Sequence, residues 1–191
     1  EAVKAFEDTL ERQPLHGGAL VSLGRELAGV GRAAESARMY LRALTVADAP
    51  ETRAVINSQL GALLEDALGR LDEAESAYGE ALRIYRTVYP EGDRNVANVL
   101  GKLAKLELER GDGGAALDYA RESRELFGRQ LPEGHTELLE GDIIIGLALA
   151  GAGRTADARA MLESVLPRIE AIGHGDGPQA RRVRKTLAAL P

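Results

Sequence analysis

One pattern returns every 42 residues through most of the chain and constrains its fold more than any other feature. Glycines at a predicted turn recur at this spacing, and an alanine follows each of them five residues later. The glycines are Gly69, Gly111 and Gly153, and the alanines are Ala74, Ala116 and Ala158. A period of about 20 to 50 residues is typical of repeat proteins, in which similar units stack on one another. The pattern therefore predicts an array of repeats without a single central core.

Each repeat has the hydrophobic periodicity of two amphipathic helices. One helical face is formed by Ala74, Ala77, Tyr78, Ala81 and Tyr85, which follow the i, i+3, i+4, i+7 spacing. The alternation that indicates a strand is not sustained anywhere, and the abundant Ala, Leu, Glu and Arg favour helices. The sequence predicts ten helices, at residues 1–13, 17–30, 32–46, 51–68, 71–89, 94–110, 113–130, 136–151, 154–171 and 178–189.

Prolines and short polar residues predict where these helices begin and end. Pro90 and Pro132 are expected to stop the long second helices, because proline lacks an N–H and restricts the residue before it. Asp93 and Thr136 are expected N-caps of the helices that follow, and Pro167 is expected to interrupt its helix. Small residues recur where paired helices should cross, at Gly24, Ala62, Ala104 and Gly146.

The repeats resemble the tetratricopeptide repeat family, whose first helix reads Trp-x2-Leu-Gly-x2-Tyr and whose second contains Ala-x3-Phe. The residues that carry this resemblance are Leu20, Leu23, Gly24, Leu27 and Gly31, then Ser36, Tyr40 and Ala43, and before them Ala2, Phe6 and Pro14. The 42-residue length and the loops at Pro90 and Pro132 are similar to the long repeats of kinesin light chains and their bacterial relatives. Leu20 at the Trp position, Ser58 and Asp142 depart from the pattern.

The resemblance implies an all-α fold, a right-handed superhelical solenoid of antiparallel helix pairs. We expect one array over residues 1–191, with the second helix of a truncated repeat at 1–16 and a C-terminal capping helix at 177–191. The full repeats are expected at residues 17–50, 51–92, 93–134 and 135–176. Because the chain opens in the middle of a repeat, we expect it to be a segment of a longer protein.

Composition excludes several classes of protein. The chain has no cysteine, so it is neither a disulfide-stapled module nor a thiolate metal site. No apolar run approaches the length of a membrane-spanning helix, and no signal segment opens the sequence, which favours a cytoplasmic protein without a membrane partner. The net charge of −6 argues against nucleic-acid binding. The basic run from Arg181 to Lys185 is expected to be a solubilising cap, with docking to another domain as the alternative.

Residues that would support catalysis do not form a constellation. His16 and His174 lie in predicted turns and are expected to be solvated, whereas His135 is expected to cap a helix. None of the three has a partner at metal-ligand spacing, and paired carboxylates on such helices are expected to be solvated. Gly111–Gly114 lacks the lysine of a phosphate-binding loop. We therefore predict a protein that is not an enzyme and has no cofactor or metal.

The first helices of such an array line its concave side, where family members bind peptides or helices. The groove positions implied by the resemblance are Val21, Arg25, Gln59, Leu63, Asn98, Lys102, Lys105, Ile143 and Leu147. We expect an acidic ligand residue near Lys102 and Lys105 and apolar ligand residues near Ile143 and Leu147. The predicted function is a non-catalytic scaffold for a protein or peptide ligand. The alternative is an intramolecular regulatory or oligomerisation region of a bacterial signalling protein (a kinase, ATPase or transcription regulator).

Overall fold

The computed structural model describes residues 1–191 and contains ten α-helices and no β-strand. The helices are α1 Ala2–Arg12, α2 Gly17–Gly29, α3 Ala33–Val46, α4 Pro50–Asp66, α5 Leu71–Val88, α6 Arg94–Arg110, α7 Gly113–Gln130, α8 Thr136–Gly151, α9 Thr155–Ala171 and α10 Pro178–Ala189. All ten predicted helices are present, and their ends fall within two residues of the expected positions. The predicted all-α fold is confirmed.

The turns between paired helices contain glycines in the left-handed region. Gly31, Gly69, Gly111 and Gly153 have φ values of 78°, 62°, 85° and 74°. A side chain is disfavoured there because the Cβ atom clashes with the neighbouring backbone. The recurrence of glycine in the sequence is therefore a recurrence of one backbone conformation, which reverses the chain after each first helix.

Side chains cap several helices, and of the three expected caps Asp93 and His135 are confirmed whereas Thr136 is wrong. Asp93 Oδ1 accepts hydrogen bonds from the N–H groups of Asn95 and Val96, both at 2.9 Å, as expected of an N-cap. Thr136 is the first residue of α8 rather than its cap, and His135 is the N-cap. His16 caps α2, because its Nδ1 accepts from the N–H of Ala19 at 3.0 Å.

Pro167 does not interrupt its helix, contrary to the sequence-based expectation. Helix α9 continues through it to Ala171. The proline lies in the last turns, where its ring is exposed and only one helical hydrogen bond is lost. Val165 and Ile169 on either side are fully buried, so their packing holds the helix together across the proline.

The chain divides into two compact units, Glu1–Glu91 and Gly92–Pro191. In the first unit α2 pairs with α3 and α4 with α5, while α1 packs on α2. In the second unit α6 to α9 pack in sequence, and α10 packs on both α8 and α9. The core of the second unit includes two clusters of buried aliphatic residues that both draw on α8 and α9. Each unit is thus a stack of helix pairs, the architecture of α-helical repeat proteins.

Small residues allow the paired helices to approach closely, as the sequence indicates. A Cβ atom on Gly24 would lie 3.0 Å from the ring of Tyr40, and one on Gly146 would lie 2.8 Å from Cγ of Leu162. In the α4–α5 pair the close contact falls on Gly61, which faces Tyr78 at 2.6 Å, one position before the expected Ala62. The paired helices therefore meet where only glycine fits without a shift of the neighbouring side chain.

Candidate functional site

Helices α6, α7 and α8 enclose a cleft of about 240 Å³ in the second unit. It is lined by Ala97, Asn98, Gly101, Lys102, Lys105, Ser123, Phe127, Glu137, Glu140, Gly141 and Ile144. Three of these residues, Asn98, Lys102 and Lys105, are predicted groove positions. They share one face of α6 because they are spaced by four and three residues, about one helical turn each.

The floor of this cleft is apolar and owes its depth to two glycines. Gly101 of α6 has open space around its Cβ position apart from Ser123 Oγ at 3.4 Å, and a Cβ on Gly141 of α8 would lie 3.1 Å from Arg124 Cγ. Phe127 and Ile144 are buried beside them. The hydroxyl of Ser123 is satisfied, since it donates to the carbonyl of Ala97 at 2.7 Å. The floor therefore presents little unpaired polarity.

The rim of the cleft carries both signs of charge. Lys105 Nζ lies 2.7 Å from Glu140 Oε1, and the other oxygen of Glu140 accepts a hydrogen bond from Gln179 of α10. Lys102 is half-buried and is also engaged by the protein. The acidic partner of Lys105 comes from α8, at a position that the predicted groove did not include. The rim thus carries lysines that already have partners within the protein.

Glu137, at one end of the rim, is anchored to the first turn of α6. Its Oε1 lies 2.7 Å from Nη2 of Arg94, and it also contacts Thr136 and His135. Burial raises the pKa of the Glu137 carboxyl, but hydrogen bonds from Thr136, from its own N–H and from Arg94, together with the charge of His135, lower it overall. The carboxylate is therefore ionised at neutral pH, and its contribution to stability is lost as the pH falls through this lowered pKa.

The remaining predicted groove residues are not all on a free surface. Arg25 is exposed and Val21 half-buried on α2, whereas Leu63 of α4 is buried. The side-chain oxygen of Gln59 is shielded from solvent and accepts no hydrogen bond. Asn98 and Lys105 are exposed on α6.

Ile143 and Leu147 require a correction, because they belong to the core. Their exposed fractions are 4% and 7%, and they pack in the cluster that includes Ala180 and Val183 of α10. The sequence places them on a non-packing face of α8, but α10 covers that face in the structure. The apolar contribution to the candidate site comes instead from Phe127 and Ile144.

A buried carboxylate joins three successive helices beside the cleft. Asp142 of α8 lies 2.9 Å from Nε of Arg124 on α7 and 2.7 Å from Nη1 of Arg168 on α9. The Asp142 side chain is 10% exposed, and those of Arg124 and Arg168 are 33% and 41% exposed. The departure of Asp142 from the repeat pattern is therefore a structural ion-pair network. The sequence pattern does not indicate this role of Asp142, because its two arginine partners lie on other helices.

The basic run of α10 is held against its own unit. Arg184 donates to the carbonyl of Gly175 at 2.7 Å and pairs with Glu170, while Arg181 donates to the carbonyl of Asp176. Val183 is fully buried against α8 and α9. The helix thus has the apolar inner face and charged outer face that the cap interpretation predicts. No set of three His, Cys, Asp or Glu side chains is placed to hold a metal ion, and none of the helices is long and apolar enough to cross a membrane.

Comparisons with solved structures show the same fold. BtubC (BKLC) from P. vanneervenii superposes with a TM-score of 0.75 at 22% identity, over 88% of this chain and 72% of that one. Kinesin-light-chain-like TPR repeats from Podosopora anserina give 0.74 at 15% identity, over 90% and 87%. YrrB, described as a TPR protein with an unusual peptide-binding site, gives 0.67 at 15% identity, over 98% and 93%. These likenesses establish the α-helical repeat fold.

The sequence comparison then identifies the repeats. The pattern of the tetratricopeptide repeat family matches residues 52–129. This match confirms the resemblance inferred from the sequence, including its likeness to repeats of the kinesin-light-chain type. No curated protein matches the sequence. The tetratricopeptide fold is in general a scaffold for interactions between proteins.

Proposed function

We propose that this protein is a non-catalytic, cytoplasmic interaction scaffold that binds a peptide or helix of a partner protein in its groove. The cleft between α6, α7 and α8 is the part of that groove that carries the proposal. The observation behind it is that one concave site collects three predicted groove residues above an apolar floor. Concave sites with an apolar floor and a few convergent polar groups are the usual form of binding sites.

The two glycines of the floor define what enters the cleft. A side chain at Gly101 would fill the space that the cleft now offers, whereas one at Gly141 would press against Arg124. Phe127 and Ile144 supply apolar walls, so an aliphatic or aromatic ligand side chain buries its surface there without leaving a polar group unpaired. The floor thus favours one apolar anchor residue in the ligand.

The exposed side-chain amide of Asn98 is available to hydrogen-bond the backbone of the ligand. It forms no hydrogen bond within the protein and lies one turn from Lys102 at the mouth of the cleft. A side-chain amide both donates and accepts, so it pairs with a peptide N–H and C=O together. This interaction does not depend on the ligand sequence and supports binding of an extended segment.

An acidic ligand residue next to the apolar anchor would pair with Lys105 by exchange. Lys105 is already bound to Glu140, so a ligand carboxylate replaces an existing partner rather than neutralising a free charge. The net gain from such an exchange on an exposed rim is small. We therefore expect the acidic residue to set orientation and the apolar residue to supply most of the affinity.

A peptide-display selection tests this proposal. A library of peptides that tile a bacterial proteome is selected on the whole chain and on Gly101→Leu, which fills the floor of the cleft. The matched control is Gly79→Ala, an exposed helical glycine with nothing within 4 Å of its Cβ position. We expect peptides with an apolar anchor to bind the parent chain and the control but to lose about tenfold or more on Gly101→Leu, because the anchor no longer enters.

The double change Lys102→Glu and Lys105→Glu examines the rim separately. It should select against peptides with an acidic residue beside the anchor and leave purely apolar peptides bound. If no enriched peptide distinguishes Gly101→Leu from the control, the cleft is not the binding site and the proposal fails. Circular dichroism melting of each variant verifies that the fold is retained.

A further inference from the structure

A second groove lies in the first unit, on helices that do not contribute to the cleft. Helices α1 and α3 both pack on α2 and leave a groove of about 360 Å³ between them. Its floor is apolar and comes from all three helices: Leu10, Leu23, Leu27 and Met39. Leu10, Leu23 and Leu27 are buried, whereas Met39 is half-buried and has the flexible, polarisable side chain common at adaptable binding surfaces.

The α1 wall of this groove is acidic, and only Glu7 lies near enough to a basic residue, Arg32, to interact with its charge. Glu7 and Glu11 line it one helical turn apart, and both are exposed. Neither carboxylate accepts a hydrogen bond or lies within 4.0 Å of a basic nitrogen, unlike most acidic residues on the other helices. Two like charges at i, i+4 slightly destabilise an isolated helix, so Glu7 and Glu11 lower the stability of α1 when no ligand is bound.

The α3 wall is basic and differs from the α1 wall in how its charges are held. Arg42 is fixed, since its Nη2 donates to the carbonyl of Pro14 at 2.9 Å. Glu35 is committed to Arg32 through two hydrogen bonds of 2.7 Å. This leaves Arg38 only a 4.0 Å contact with Glu35, and its side chain is 68% exposed. The walls thus carry opposite charges across an apolar floor.

We infer that this groove binds an amphipathic helix of a partner protein that carries Lys or Arg along one flank and Asp or Glu along the other. The basic flank lies against Glu7 and Glu11, the acidic flank against Arg38, and the apolar stripe over Met39 and the leucines. Opposite charges on the two walls also fix which way round the helix lies, because the reversed helix brings like charges together. This inference is independent of the cleft in the second unit.

A display library of amphipathic helical peptides, randomised on both flanks of a constant apolar stripe, tests the inference on the whole chain. The parent is compared with Glu7→Lys plus Glu11→Lys. The matched control is Asp8→Lys plus Asp48→Lys, which makes the same change in net charge at exposed positions outside the groove. We expect peptides with one basic and one acidic flank to be enriched, and to bind the charge-reversed variant about tenfold more weakly than the control.

Two further measurements make the result specific. Peptides whose basic flank is replaced by Glu should regain binding to the charge-reversed variant, and the enriched peptides should bind Gly101→Leu as well as the parent. If the charge-reversed variant does not fold, Glu7→Gln plus Glu11→Gln replaces it, because glutamine keeps the shape of the wall. This variant should weaken binding by about threefold. Enrichment without a charge bias, equal binding to the reversed variant, or loss on Gly101→Leu overturns the inference. Dimerisation of the chain through this face overturns it as well.

Discussion

Two adjacent glycines at the start of α7 occupy different environments. Gly113 is buried, and a Cβ atom there would lie 2.8 Å from the carbonyl oxygen of Ala148 and closer still to the backbone of Gly151 and Ala152. Gly114 is exposed, and its Cβ would meet only the carboxylate of Asp112 at 3.4 Å. Backbone cannot rotate away as a side chain does, so the two positions differ sharply in what they tolerate.

Gly113→Ala should therefore destabilise the protein by about 1–3 kcal/mol through a forced separation of α7 from the end of α8. Gly114→Ala provides the control and should be neutral or slightly stabilising, because alanine favours a helix over glycine. Thermal unfolding followed at 222 nm distinguishes them. Equal melting temperatures for the two variants would contradict the close backbone contact.

Gly146→Leu addresses the crossing of α8 and α9. The added side chain would enter space now filled by Leu162, which is fully buried. Overpacking of this kind costs about 1–3 kcal/mol, because the neighbouring rotamers and backbone must shift. Chemical denaturation measures the free energy of unfolding, and an unchanged value would show that the predicted register of the repeat is wrong.

At the level of single residues, the sequence predicts which positions must be small but not always which atoms they meet. Gly24 and Gly146 are recognised by their place in the repeat, and both contact the partner helix as expected. The contact at Gly61 instead of Ala62 and the burial of Gly113 depend on how two helices happen to lie against each other. Such contacts join residues that are far apart in the sequence, so periodicity does not reveal them.

Among the helices, α8 shows how a buried charge fits into a packed element. Asp142 is matched by arginines from the helices before and after it, and all three side chains lie within the second unit. A buried pair of this kind is weak support for stability in itself, but removing one partner leaves the others without compensation. The network therefore constrains which substitutions α8 accepts.

Asp142→Ala should lower the free energy of unfolding by about 1–3 kcal/mol, because two arginines lose their carboxylate. The cost lies towards the lower end, since both guanidinium groups keep some contact with water. Asp157→Ala removes an exposed carboxylate paired with Arg154 and should change little. Denaturant titration of both variants gives the comparison, and a neutral Asp142→Ala would mean that the network contributes nothing.

The elements themselves are predictable because their signals are local. Proline, glycine and i, i+4 apolar spacing placed the helices within two residues of their ends. The exposed face of α8 could not be predicted in the same way, because Ile143 and Leu147 are buried by α10, which lies more than 30 residues further along the chain. The predicted groove positions of α6 line the cleft, whereas those of α8 lie in the core.

For the molecule as a whole, the division between Glu91 and Gly92 lies one residue before a boundary between predicted repeats. The second unit contains its own buried clusters, and α10 packs on α8 and α9 within it. The repeat boundaries at residues 17–50, 51–92, 93–134 and 135–176 stay a prediction. In stacked repeats each unit depends mainly on its neighbours, so a part with a complete core retains its structure.

Residues 92–191 expressed alone should therefore fold into a helical unit with a cooperative thermal transition. The fragment contains five helices, equivalent to two helix pairs and one further helix, and keeps both aliphatic clusters. Circular dichroism and amide hydrogen exchange provide the measurement. A disordered fragment would show that the second unit depends on the first for its stability.

Glu140 connects two parts of the second unit that are distant in the sequence. Its carboxylate is shared between Lys105 of α6 and Gln179 of α10. A ligand carboxylate that binds Lys105 in place of Glu140 leaves the Glu140 carboxylate bound to α10 alone. Ligand binding at α6 therefore alters the environment of the C-terminal helix. A fluorophore attached on the outer face of α10 would then report ligand binding from outside the site, and the helix would serve as a built-in sensor.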